Sequence, residues 1–264
     1  MGLPGAFLML RSMLAVNITV GTHLTAKFGG LTWDLDTMWT TGAALVVVVL
    51  MVVLLHRKSN PLAPSKYQLV WEMGVDTVTR QVDGSIGPRG RKVIPLALAL
   101  FIFILVANFF EIFDIGAKVE ALGPPTADVN LPLAMAVFVI VGVHISSIRT
   151  RGIGGYLRHY FGQPFPKALF LFNGFINMVE EIAKPVTLAL RLFGNLFSGG
   201  LMLTLIAALG AWKLGSAPLG DIWVVVLGVV WKLFDVFLIG PIQAFIFALL
   251  AILYYDTAMA TTDH

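Results

Sequence analysis

Cysteine is absent from this 264-residue chain, which excludes disulfides, thiolate metal sites and thiol redox chemistry. Charge is scarce too. Asp, Glu, Lys and Arg make up 12% of the residues, where soluble domains carry about 25%. Internal repeats, low-complexity tracts, a zinc-type histidine cluster, a Ser/His/Asp arrangement and a phosphate-binding glycine loop are all missing. The chain therefore shows no covalent chemistry of its own, no cofactor and no metal site. The net charge of +3 is gathered in particular loops, so it is not a nucleic-acid signal. No soluble domain is visible, so any catalytic head would have to belong to another chain.

What is present is apolar residue, at 58% of the chain. The composition indicates an all-α integral membrane protein with about five membrane segments, at roughly 38–55, 93–113, 132–148, 168–209 and 222–256. The first three suit a hydrocarbon core of about 30 Å at about 1.5 Å per residue. The last two would reach roughly 63 and 52 Å as helices and cannot stand upright in a bilayer. Each is expected to tilt, bend or run partly along the membrane. Pro185, Gly194, Gly199–Gly200 and Gly240–Pro241 offer places to bend. Together they predict a long tilted hairpin, the functional half of the protein.

Loop charges predict the orientation. Seven basic residues lie between spans one and two (Arg57, Lys58, Lys66, Arg80, Arg89, Arg91, Lys92) and four between spans three and four (Arg149, Arg151, Arg158, Lys167). The alternate loops hold only Lys118 and Lys213. This bias places the N-terminus outside and the C-terminus inside, with an acidic outer loop at 114–131 carrying Asp114, Glu120 and Asp128. The opening MGLPGAFLMLRSML has its charge after the apolar run, so it reads as an extension rather than a signal peptide. The stretch 65–83 is too polar to span. Its Leu69, Val70, Met73, Val78 and Val82 predict an amphipathic helix on the inner surface. The chain thus divides into an outer extension at 1–37, three spans with the surface helix at 38–148, and a basic inner loop followed by the hairpin at 149–264.

Arg191 is the most informative residue. It lies inside the apolar run EEIAKPVTLALRLFGNLFSGG, and a guanidinium stays protonated in a protein. At the bilayer centre it costs about 3 kcal/mol on insertion scales, so it needs a partner, a wet cavity or an ion path. At about 100° per residue, Glu180, Lys184, Thr187, Asn195 and Ser198 all fall within about 40° of it on one helix face. Leu188, Leu190, Leu192, Phe193, Leu196 and Phe197 flank this polar stripe. Glu180 and Lys184 are spaced for an i,i+4 ion pair, and the stripe also admits a purely packing role. Glu180 and Glu181 are about three turns from Arg191, so its counter-charge must come from another helix or another subunit.

On the fifth segment, Gln243 sits at the depth of Arg191 if the two helices are antiparallel. Lys232 and Asp235 lie in the outer half, either as an i,i+3 ion pair at the membrane interface or as groups of an ion path. His144 reads as a satisfied helix-end histidine. Glu111 and Asp114 fit either an interface marker or an acidic outer mouth. A secondary transporter would show repeated halves with interrupted helices, and neither is seen. An intramembrane enzyme would need a nucleophile–base or metal constellation, which the stripe lacks. A purely structural subunit has no use for an unpaired arginine.

The run KPVTLALRLFGNLFSG, followed by PIQAFIFALLAILYYDTAM, resembles subunit a of the F-type ATP synthase. The likeness extends from about residue 31 to the C-terminus and includes Trp71–Glu72 and Asp128–Asn130. The resemblance implies that Arg191 is the family's essential arginine, Asn195 the asparagine one turn beyond it, and Gln243 the glutamine facing it. It implies a stationary proton channel in a bacterial plasma membrane, with two offset half-channels serving the carboxylates of a rotating ring of c subunits. Its further partners would be the peripheral stalk subunit b, the rest of the ATP synthase and the lipid bilayer. Asn195, Gln243, Asp235, Lys232 and Ser198 would serve the outer path and the stripe, and Glu180, Glu181 and Lys184 the inner path. Two positions depart from the family pattern: Gly200 stands where some members carry an acid, and Val236 where many carry a polar group. Asp235, one step from Val236, is the candidate replacement.

Overall fold

The structure is a computed structural model, and it describes residues 25–28, 31–58, 65–113, 123–162, 169–211 and 219–259. The N-terminal segment to residue 24, Asp114, Lys118, Glu120, Lys167 and Lys213 lie outside the described residues.

Among the described residues, five helical stretches are long and apolar enough to cross a membrane, in line with the composition. A short antiparallel ladder precedes them: β1 (Thr25–Phe28) pairs with β2 (Leu31–Asp34), Thr25 opposite Asp34. It was not foreseen in the extension, although the intervening Gly29–Gly30 is a two-residue hairpin signal. Helix α1 (Leu35–Lys58) follows, with only Asp36, Thr40 and Ala44 buried. Its valine- and leucine-rich surface is left for lipid or a partner.

Helix α2 (Lys66–Ser85) matches the expected amphipathic helix. It starts where the Ser65 hydroxyl accepts the Gln68 amide, satisfying one of the free N–H groups of the first turn. Its apolar side is more than a membrane anchor, because Val78 and Val82 are buried against Ala97 and Ile252. Leu69 and Met73 stay exposed. A 3-10 turn (Pro88–Val93) leads into α3 (Ile94–Phe109).

Helix α4 (Asn130–Gly162) corrects one expectation: the basic stretch after residue 148 is largely helical rather than a loop. The chain turns at Gly152, whose φ of 72° and ψ of 165° suit glycine alone. Beyond it the helix carries Tyr156 and Tyr160 back against α5 (Phe170–Ala211). The 42 residues of α5 run about 63 Å with Pro185 inside. That proline removes the amide that would bond the Glu181 carbonyl, without ending the helix.

The fifth segment is α6 (Leu219–Phe234), a π-turn (Asp235–Ile239) and α7 (Gly240–Met259). The turn absorbs Pro241, whose ring would otherwise clash with the carbonyl four residues back. The expected bend at Gly240–Pro241 thus takes the form of a wide turn just ahead of it. The core lies where α3, α4, α5 and α7 meet, around Ile104, Val139, Leu188, Leu192, Ala244, Phe247 and Ala251. Small residues such as Ala97, Ala136, Ala189, Ala244 and Ala251 permit close approach of the helices, which packing inside a membrane depends on.

Candidate functional site

Leu188, Leu192 and Leu196 of α5 are buried in the core, and their burial turns the opposite face outward. Arg191, Thr187 and Ser198 lie on that exposed face, and Asn195 and Lys184 are half-buried at its edge. Arg191 has no ion pair and no hydrogen bond among the described residues. Asn195 and Gln243 make none with it either, and Gln243 is half-buried on α7. The Ser198 hydroxyl donates back to the Asn195 carbonyl at 2.8 Å, and Thr187 donates to the Ala183 carbonyl at 2.8 Å. The arginine is therefore presented on an open helix face, bordered by exposed Leu190 and Phe197. Its counter-charge is not supplied within the fold described.

Two titratable clusters lie on either side of Arg191 along the chain axis. The first joins α6, the π-turn and the end of the second span. Lys232 Nζ lies 3.1 Å from Glu111 Oε1, so the i,i+3 pairing of Lys232 with Asp235 is replaced by a pair between helices. Asp235 is 2% exposed. Its carboxyl adjoins that of Glu111, and its Oδ2 has no hydrogen-bond donor among the described residues. The carboxyl sits over Gly199 of α5, where a β-carbon would collide with it. The Trp231 indole donates to the Gly199 carbonyl at 3.2 Å and holds α6 to α5 at this level. Beside it, buried Asn108 donates to the Gly240 carbonyl at 3.3 Å and accepts from Thr126 at 2.9 Å, fixing the π-turn against α3.

The second cluster lines a cavity of about 480 Å³ between α4, α5 and α7. Glu181 Oε2 is 2.9 Å from His144 Nε2, and Lys184 Nζ is 3.4 Å from Glu181 and 3.7 Å from Glu180. The Tyr156 hydroxyl lies 3.0 Å from His144 Nδ1. Asn177 donates to the Tyr160 carbonyl and Asn173 to that of Phe161, which locks the returning end of α4 onto α5. His144 is thus satisfied, and its partner is Glu181, which adjoins Glu180 of the stripe and is held by the stripe's Lys184.

Of the residues singled out from sequence, Asp235 and Lys232 come together in one cluster and Glu180, Glu181 and Lys184 in the other. Arg191, Asn195, Ser198 and Gln243 lie between, and among them only Ser198 and Asn195 meet, through the local hydroxyl-to-carbonyl bond. Glu111, His144, Tyr156 and Asn177 are additions. Glu111 had an ambiguous signal as an acid at a span end. Tyr156 and Asn177 had none, since their place depends on the turn at Gly152.

Residues 35–256 match the family described as ATP synthase A chain. The chain is 47% identical over 253 residues to the ATP synthase subunit a of Acidothermus cellulolyticus, covering 96% of this chain and 87% of that one. It is 40% identical over 263 residues to that of Mycobacterium marinum, covering 95% and 97%. With that of Shewanella baltica OS185 the identity is 33% over 261 residues, covering 95% and 90%.

Proposed function

The chain belongs to the ATP synthase subunit a family, a non-catalytic subunit of the proton-transporting membrane sector, and from that premise we propose that it forms the stationary wall of two offset half-channels. Protons from outside would reach the Glu111–Lys232–Asp235 cluster and pass by Asn195 and Gln243 to a carboxylate on a ring of c subunits. Once neutral, that carboxyl can cross lipid, where its ionised form would cost far more. After nearly a full turn it would release its proton toward the cavity beside Glu180, Glu181 and Lys184. Ser198 keeps the stripe polar along the ring-facing side. Subunit b of the peripheral stalk would contact α2 and the first two spans.

The observation that carries this reading is the open placement of Arg191 between two titratable clusters, with no counter-charge within the described fold. A fixed cation there favours the ionised form of an approaching carboxylate and repels protons that would otherwise cross directly. Each elementary charge crossing the membrane carries about 2.3 kcal/mol per 100 mV, which a leak would dissipate. Lysine is a weaker choice, since it can lose its proton when desolvated. The positive-inside bias supports an outer N-terminus and an inner C-terminus.

The test is Arg191→Ala in the assembled complex, using inverted membrane vesicles. ATP-driven acidification should be lost while assembly is normal. Passive proton leak, measured after the catalytic head is stripped off, should be retained or raised. Normal pumping in this variant would reduce the stripe to a packing feature.

A further inference from the structure

The outer cluster holds two carboxyls and one ammonium in a nearly dry setting. Side-chain exposure is 19% for Lys232 and 8% for Glu111, and Asp235 as a residue is 2% exposed. Two ionised carboxylates at this burial would call for two cations, because an uncompensated buried charge is strongly unfavourable. The described residues supply one, Lys232, paired with Glu111 at 3.1 Å. The Asp235 carboxyl adjoins that of Glu111, and its buried Oδ2, against Gly199, has no donor among the described residues. A single proton shared by the two carboxyls leaves one net negative charge, which Lys232 balances.

We infer that Lys232 sets the proton inventory of the outer path: one ammonium balances one carboxylate, so Glu111 and Asp235 together hold a single exchangeable proton. The proton belongs to the pair rather than to either residue. In each transfer the pair releases it to a carboxylate on the ring and takes another from water on the outer side. No other bond forms or breaks. Lys232 is a positioning residue here, since it holds no transferred proton itself. Gly199 leaves room for the Asp235 carboxyl beside α5. This inference rests on the reading of the cluster as the outer proton path.

Charge counting gives a reciprocal test. In Lys232→Gln the neutral cluster holds two protons, one too many. In Glu111→Gln the ammonium balances ionised Asp235 and no proton is left to exchange. In the double variant Asp235 alone carries one proton, as the pair does in the parent. Proton-driven ATP synthesis would be measured in membranes whose head-group ATPase confirms assembly. Lys232→Arg should retain most activity, each single neutral variant should lose about tenfold, as expected for removal of a charge worth about one pKa unit or more, and the double should recover most of that loss. A double variant no better than the worse single, or normal synthesis in Lys232→Gln, would overturn the inference. Asp235→Asn separates it from the reading beneath: intact synthesis there removes the outer path from this cluster and the inference with it. Loss in Asp235→Asn combined with failed rescue removes the inference alone.

Discussion

At the scale of single residues, Gly199 and Arg191 act in opposite ways, one by leaving space and the other by filling it with charge. A β-carbon at Gly199 meets the Asp235 carboxyl, which is short and buried, with little room to move aside. Gly199→Val is therefore expected to displace that carboxyl, at an overpacking cost of about 1–3 kcal/mol, and to cut proton-driven ATP synthesis sharply. Gly228→Ala lies inside α6 with open space around it and should hold or raise stability, by up to about 1 kcal/mol. Measuring synthesis rate and complex yield for both variants checks the pair. Equal behaviour would show that the contact at Gly199 is relieved elsewhere. Arg191 was legible from sequence because a permanent charge in an apolar helix needs no tertiary information to be noticed.

At the scale of elements, the turn at Gly152 decides what the cluster around His144 and Glu181 contains. The break in α4 carries Tyr156 to His144 and Tyr160 to the side chain of Asn177. Gly152→Ala forces a side chain into a backbone region it avoids, at about 1–3 kcal/mol. The variant should lower the thermal inactivation midpoint of the purified complex by a few degrees, and raise proteolysis in the 149–162 stretch. An unchanged midpoint would mean that the turn relaxes into continuous helix without loss. Sequence periodicity gave the length of α5 and its polar face, since both are properties of one helix. It did not reveal the helical 149–162 stretch, because the basic residues there read equally well as loop. The pairing of Glu111 with Lys232 was also hidden, for those residues are 121 positions apart.

At the scale of the whole molecule, the five apolar stretches and the asymmetric loop charges make one topology favourable. The absence of cysteine allows a direct check. Asp128→Cys, ahead of α4, should react with a membrane-impermeant maleimide in intact cells. Arg80→Cys on α2 should react only after the membrane is opened. Arg80 is exposed and Asp128 half-buried, so labelling reports sidedness rather than burial. The reverse pattern would invert the assignment of outer and inner clusters, and with it the direction of the proposed path.

The sequence alone determined that this chain is an all-α membrane protein, which helix face carries its charge, and which family it resembles. Those follow from hydropathy, from the 3.6-residue period and from a contiguous motif, all of which are local along the chain. Only the tertiary structure decided which charges meet: Lys232 with Glu111 rather than Asp235, Glu181 with His144, and the Asp235 carboxyl over Gly199. The physical reason is that each of these contacts depends on how two helices are set against each other. That setting comes from the small-residue packing of α3, α4, α5 and α7 and from the turns at Gly152 and Asp235–Ile239, and no single helix's periodicity contains it.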